Sequence, residues 1–188
     1  AEAIVTGIYP TLSPAGFYIQ EENADADADP NTSEGIFVVS ATAVAVGDLV
    51  RVTGTVQENG VTPSFNQAVF SSPTVTILSN GNPLPTAIDI TLPVTATADF
   101  EKYEGMIVRF PGTLTVTNND GVGTFGEARL SAGGLIYQPT QLVDPNDSPA
   151  SGTSSTGTSN VAAVNALIAS NNLRTILLDD GRGTLPTL

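Results

Sequence analysis

Oxygen-bearing side chains crowd one short stretch: Asp25, Asp27, Asp29, Asn31 and Glu34, with Glu21 and Glu22 just before them. Hard cations take six to eight oxygen ligands, and alternating aspartates in a loop can turn toward one point. The chemistry this spacing suggests is binding of calcium or magnesium. It is not an EF-hand, which needs Gly at its sixth place and Glu at its twelfth; counted from Asp25, those places hold Pro30 and Ile36. The plainer reading is a solvated acidic loop. Asp179-Asp180 stands before Gly181. A turn accounts for it, because Asp side chains bond the local backbone there; an acid–base pair would also need a facing partner and a cleft. Phe17, Tyr18, Phe37 and Phe65 offer rings on which bases could stack, against the ordinary use of aromatics as core. Gly121-Val122-Gly123-Thr124-Phe125-Gly126 spells a glycine-rich fingerprint. It follows a turn and precedes strand-like sequence with no helix expected, so a phosphate cradle is not.

Much other chemistry is excluded outright. The 188 residues contain no Cys and no His. Disulfides, thiolate metal sites and Ser-His-Asp or Cys-His catalysis are therefore impossible within the chain. No required cofactor is expected. The 19 acids against 6 bases leave a net charge of −13. Nucleic-acid binders carry basic stripes that displace phosphate counterions, so weak or no nucleic-acid binding is expected. Arg51 is the single base of the first 84 residues. No apolar run approaches the ~20 residues of a membrane span. Low Lys, no Cys and abundant Thr, Ser, Asn and Gly suit an extracellular, secreted protein.

The elements that must position these residues are short β-type runs separated by turn signals. They cover residues 3–9, 16–20, 35–39 and 48–57, then 65–70 continuing as 74–78 after Pro73. In the fourth run Val50, Val52 and Val56 alternate with Arg51, Thr53, Thr55 and Gln57, the period of a strand. Asn59-Gly60 is a hairpin-turn dipeptide. Five strands in about 80 residues predict a small closed barrel, which removes sheet edges. Residues 81–104 read as an extended connector, with one helical turn at 99–104 closed by Gly105. Beyond it, strand-like sequence covers 106–117, 125–138 and 175–178, and 151–159 is a Gly/Ser/Thr tract. A helix is predicted over 160–172, capped by Asn160, with Val161, Val164, Leu167 and Ile168 on one stripe.

Several phrases then stand together in order: Gly16-Phe17-Tyr18-Ile19-Gln20-Glu21, Thr32-Ser33-Glu34-Gly35-Ile36-Phe37-Val38, and Val46-Gly47-Asp48-Leu49-Val50-Arg51-Val52-Thr53-Gly54-Thr55-Val56. Tyr103-Glu104-Gly105-Met106, Phe125-Gly126-Glu127, Tyr137-Gln138-Pro139-Thr140 and Leu177-Leu178-Asp179-Asp180-Gly181 follow. This series resembles the OB-like middle region of bacterial secreted extracellular nucleases, a family whose catalytic endonuclease/exonuclease/phosphatase domain lies C-terminal to it. The resemblance implies a mostly β chain: a five-stranded OB-like barrel over 1–80, a linker over 81–104, and a second, incomplete OB-like β unit with one helix over 105–188. It implies a non-catalytic accessory role here, beside a parent reaction of metal-dependent phosphodiester hydrolysis of DNA. The alternative is a structural or self-assembling surface or filament protein built from such barrels. Three strand regions after residue 105 fall two short of a barrel, so self-association through exposed strand edges is also expected.

Overall fold

A computed structural model of the chain describes residues 1–27, 29–59, 66–143 and 160–181. Phe65, Gly60 of the turn dipeptide and the tract 151–159 lie outside the described residues. The chain divides into two compact units. One holds Ala1–Ile90 and Ala98–Arg109 with Asp180 and Gly181; the other holds Thr91–Thr97 and Phe110–Asp179.

The first unit is built on a closed five-stranded barrel. Its strands are β1 (Glu2–Tyr9), β2 (Gly16–Gln20), β3 (Gly35–Val39), β4 (Leu49–Asn59) and β5 (Gln67–Ser79). The order is β1-β2-β3-β5-β4, with β4 returning to β1. The β3–β5 pair is parallel and every other pair antiparallel. This is the predicted OB-like barrel. Ala3, Val5, Phe17, Ile19, Val38, Val50, Val52 and Phe70 fill it. Each large apolar side chain so buried is worth about 1.5–3 kcal/mol.

The strand alternation predicted for β4 holds for Val50 and Val52 but fails at Val56, which is 57% exposed. The β1–β4 pairs run from Leu49 to Arg51, and Val56 lies beyond them. The two halves of the fifth run are one strand. Ser72, at φ 50°, absorbs an irregularity in the β4–β5 ladder beside Pro73, where a residue without an N–H is tolerated. The Val46-Gly47-Asp48 turn is equally specific. Gly47 sits at φ 90°, and buried Asp48 accepts hydrogen bonds from the Ala45 N–H and the Asn80 Nδ2, each at 2.8 Å.

Residues 81–104, expected to be a connector, contribute ordered elements to the same unit. β6 (Ile88–Asp89) pairs in parallel with β7 (Val108–Arg109), and a 3₁₀ helix spans Thr97–Tyr103. Gly105, at φ 69°, follows that helix.

The second unit carries a three-stranded antiparallel sheet in the order β10-β9-β8, from β8 (Leu114–Asn118), β9 (Glu127–Ala132) and β10 (Thr175–Asp179). The strand expected over 106–117 is split, with β7 ending before Pro111 and β8 beginning after Gly112. The strand expected over 125–138 stops at Ala132. Gly133 and Gly134 turn the chain at φ 72° and 93°, a conformation glycine reaches without strain. Helix α2 (Val161–Leu173) matches the predicted helix within a residue at each end. Asn160 makes no capping hydrogen bond through its side chain, and of the expected stripe Val164 and Leu167 are half-buried while Val161 and Ile168 stay exposed. Arg174 ties the end of α2 to the sheet, its Nη1 donating to the Ala132 carbonyl at 2.8 Å. No helix among the described residues is long and apolar enough to cross a membrane.

Candidate functional site

On OB barrels, oligonucleotides lie over the outer face of the second and third strands. In this barrel β2 and β3 pair so that Phe17 faces Val38 and Tyr18 faces Phe37. Because neighbouring side chains of a strand point to opposite faces, the two pairs divide. Phe17 and Val38 go into the core, and Tyr18 and Phe37 go outward. Tyr9, which the sequence did not single out, completes a row of rings. Tyr9 meets Tyr18 edge-on at 5.5 Å between centroids, and Tyr18 meets Phe37 at 4.9 Å.

This row is not an open platform. Phe37 is only 4% exposed. The Tyr18 hydroxyl accepts a hydrogen bond from the Gln67 Nε2. Burial, and beyond it the nearby Tyr9 and Glu104, hold the Tyr18 phenol above its ordinary pKa. The chain itself crosses beside the face: Gly105, Met106 and Ile107 line an open pocket of about 330 Å³ together with Thr6, Tyr9 and Tyr18. The Ile107 N–H donates at 2.8 Å to the buried Gln20 Oε1. Gly35 and Gly105 touch through their backbones, so a Cβ on Gly35 would lie 2.4 Å from the Gly105 carbonyl carbon. Ser33 Oγ donates to the Glu104 carbonyl, and the Ala68 N–H donates to Glu104 Oε1 at 3.1 Å. A carboxylate thus stands beside the face where a phosphate backbone would have to run.

The acidic loop leaves β2 and returns to β3. Its base is closed by the Glu21 N–H donating to the Glu34 carbonyl at 3.0 Å. Its side chains are largely committed to local turns. Asp27 Oδ1 accepts from the Asp29 N–H at 2.7 Å, and Asp29 Oδ1 accepts from the Asn31 N–H at 2.9 Å. Thr32 Oγ1 donates to Asp27 at 3.1 Å, and Glu34 Oε1 accepts from the Asp27 N–H at 3.2 Å. The structure therefore brings Asp27, Asp29, Asn31 and Glu34 into one hydrogen-bonded turn, with Asp25 outside these contacts. Among the described residues no group of three or more acids stands in an arrangement that could hold a metal ion.

Glu21 and Glu34 face each other across the loop base. Burial first, then the charge of Glu34 and its hydrogen bond, raise the Glu21 carboxyl above the ordinary carboxylate range. Burial likewise raises Glu104. A carboxyl raised in the folded state holds its proton more tightly there than in the unfolded chain. Its contribution is complete below the ordinary carboxylate pKa and is lost as pH rises through the raised value. Melting temperature should therefore climb as pH falls from neutral toward the ordinary carboxylate pKa. Glu21→Gln should melt higher than wild type at pH 7 and show a shallower climb; a wild-type Tm falling over that range would contradict the assignment.

The remaining candidates resolve into turns. Asp179 ends β10 opposite Glu127, and Gly181 follows at φ 66°. The glycine-rich segment, expected to be without helix, forms one helical turn, α1 (Val122–Phe125). The turn closes because Gly126 takes φ 75°. Four residues align too few peptide dipoles for an anion site, and Phe125 is 63% exposed at its end.

No family model, no curated protein and no solved structure matches this chain.

Proposed function

We propose that the chain is a non-catalytic OB-fold accessory region of an extracellular nuclease-like protein. It would space or assemble a parent that hydrolyses phosphodiesters of DNA with metal. The observation that supports this reading is the glycine seam. Two of the phrases carrying the nuclease resemblance, Thr32 to Val38 and Tyr103 to Met106, meet back to back at Gly35 and Gly105. A third supplies the Gly47–Asp48 turn. The residues behind the likeness thus do architectural work on a barrel, and the face that would stack bases is bordered by the crossing chain and flanked by Glu104.

The test has two parts. Pure protein should leave plasmid DNA intact in magnesium or calcium. A labelled single strand in ~0.15 M salt should show no binding tighter than about 10⁻⁴ M, the weak end of non-specific association. Metal-dependent cleavage, or submicromolar binding by fluorescence anisotropy, would overturn the reading. A second reading, a self-assembling surface protein, is favoured by one specific observation: among the described residues β8 and β10 each pair with β9 alone.

A further inference from the structure

The described arginines are all engaged but one. Arg51 pairs with Glu2, Arg109 pairs with Asp89, and Arg174 donates to the Ala132 carbonyl. The Arg129 guanidinium makes no ion pair and no hydrogen bond among the described residues. It stands on β9 and lines an open pocket of about 380 Å³ within the second unit, a volume in the range of small-ligand clefts. Elements distant in sequence build that pocket. Thr117 of β8 accepts the Ile136 N–H on its Oγ1 at 2.8 Å, which fixes the segment carrying Tyr137 and Gln138. Helix α2 supplies Ile168, Asn171 and Asn172, which share one side of the helix at i, i+3 and i+4. Arg174 braces this wall, its Nη2 donating to the Leu135 carbonyl at 3.2 Å.

The lining departs from the acidity of the chain. Among the described residues no acid lines the pocket, whereas carboxamides do: Asn118, Gln138, Gln141, Asn171 and Asn172. The side chains of Gln138, Gln141 and Asn172 make no hydrogen bond among the described residues. A carboxamide offers a donor and an acceptor side by side, a match for two neighbouring hydroxyls of a sugar. Tyr137, 48% exposed, adds a ring against which the C–H side of a pyranose can pack. We propose that this pocket binds a hexuronate, a pyranose ring carrying one carboxylate. Arg129 takes the carboxylate through charge-assisted, bidentate hydrogen bonds. Gln138, Gln141 and Asn172 take ring hydroxyls, and Tyr137 takes the apolar side of the ring. A nucleic acid is the poorer match. Glu127 and Asp179 pair with each other two positions from Arg129, on the same face of the sheet. A backbone with a phosphate at every nucleotide would meet them, and a single carboxylate need not. The proposal goes beyond the accessory-module reading and does not depend on it.

The test is a titration of the full 19.2 kDa chain with sodium glucuronate, against sodium chloride at equal ionic strength, followed by ¹H–¹⁵N correlation spectra. The Arg129, Tyr137 and Asn172 signals should move while the Asp27 and Asp29 amides of the first unit stay in place. A ligand of this size at ordinary efficiency gives a dissociation constant on the order of 10⁻³ M. Glucose, which lacks the carboxylate, should bind roughly fivefold more weakly, the worth of one solvent-exposed charged contact. Arg129→Gln should bring glucuronate down to the affinity of glucose at an unchanged melting temperature, because the guanidinium holds no other described group. Tyr137→Ala should weaken both sugars. No movement in ~0.05 M glucuronate, well above the expected constant, would overturn the proposal. So would equal affinity for glucose and glucuronate, or displacement of glucuronate by a lower concentration of inorganic phosphate or of a short single-stranded oligonucleotide.

Discussion

Phe17→Ala should lower the stability of the barrel by about 3–5 kcal/mol, the cost of a large cavity in a close-packed core. Phe17 is 1% exposed and packs among Ala3, Val5, Ile19, Val38, Val50, Val52 and Phe70. These neighbours are strand residues hydrogen-bonded to adjacent strands, and a closed barrel cannot collapse onto the vacated volume without breaking ladders, so little of the loss is recovered. Against a domain stability of roughly 5–15 kcal/mol, the variant would be close to unfolding at 37 °C. A urea melt followed at the tyrosines, which include Tyr9 and Tyr18 on the barrel, should show the midpoint falling with the slope unchanged. A loss under about 1 kcal/mol would mean that Phe17 is not the centre of the core. The same substitution separates the two uses of an aromatic weighed for β2: a stacking residue could be removed with the fold intact.

Gly35→Ala should be among the most damaging single-methyl changes in the first unit, beside Gly16→Ala, whose Cβ would lie 2.3 Å from the Val38 carbonyl oxygen. The new Cβ on Gly35 would sit 2.4 Å from the Gly105 carbonyl carbon, 2.5 Å from its oxygen and 2.8 Å from the Met106 nitrogen. All three are backbone atoms, so no rotamer change relieves the contact, and the crossing segment must lift. Overpacking of this kind costs about 1–3 kcal/mol. Lifting also strains the Ser33–Glu104, Ala68–Glu104 and Gln20–Ile107 hydrogen bonds, each worth about 0.5–1.5 kcal/mol. Hydrogen exchange gives a local readout: the Met106 and Ile107 amides, which donate to the Tyr103 carbonyl and to Gln20, should lose protection before the barrel strands do. Unchanged protection with an unchanged Tm would show that the seam does not hold the segment down. If it lifts, the Tyr9–Tyr18–Phe37 row becomes more accessible, so Gly35→Ala also tests whether the crossing segment is what keeps nucleic acid away.

The barrel was legible because its cues are local. β2 and β3 fall on the predicted spans, and the turn before β4 announces itself by Gly47-Asp48. Pattern reading failed where a contact remote in sequence decided the outcome. Val56 has the alternation of a buried residue, yet nothing in residues 48–57 says which of them pair with β1. Residues 97–103 have the composition of a connector, and their place beside the barrel depends on Gly35, more than sixty positions away. The strand readings over 106–117 and 125–138 ran too long because they weighed β-propensity above the glycines and the proline that interrupt them.

By itself the amino-acid sequence determined composition, charge and the chemistry that cannot occur: with no Cys and no His there is no thiolate and no imidazole, whatever the fold. It also determined the β period of the first five runs, because alternation is a property of neighbouring residues. Tertiary structure alone decided which rings face the core and which face outward. It also decided that residues 105–107 cross beside the outward face of β2. The reason is common to both. Strand partners, registers and crossing segments are set by residues far apart in the chain, and a one-residue change in register moves every side chain of a strand to the opposite face.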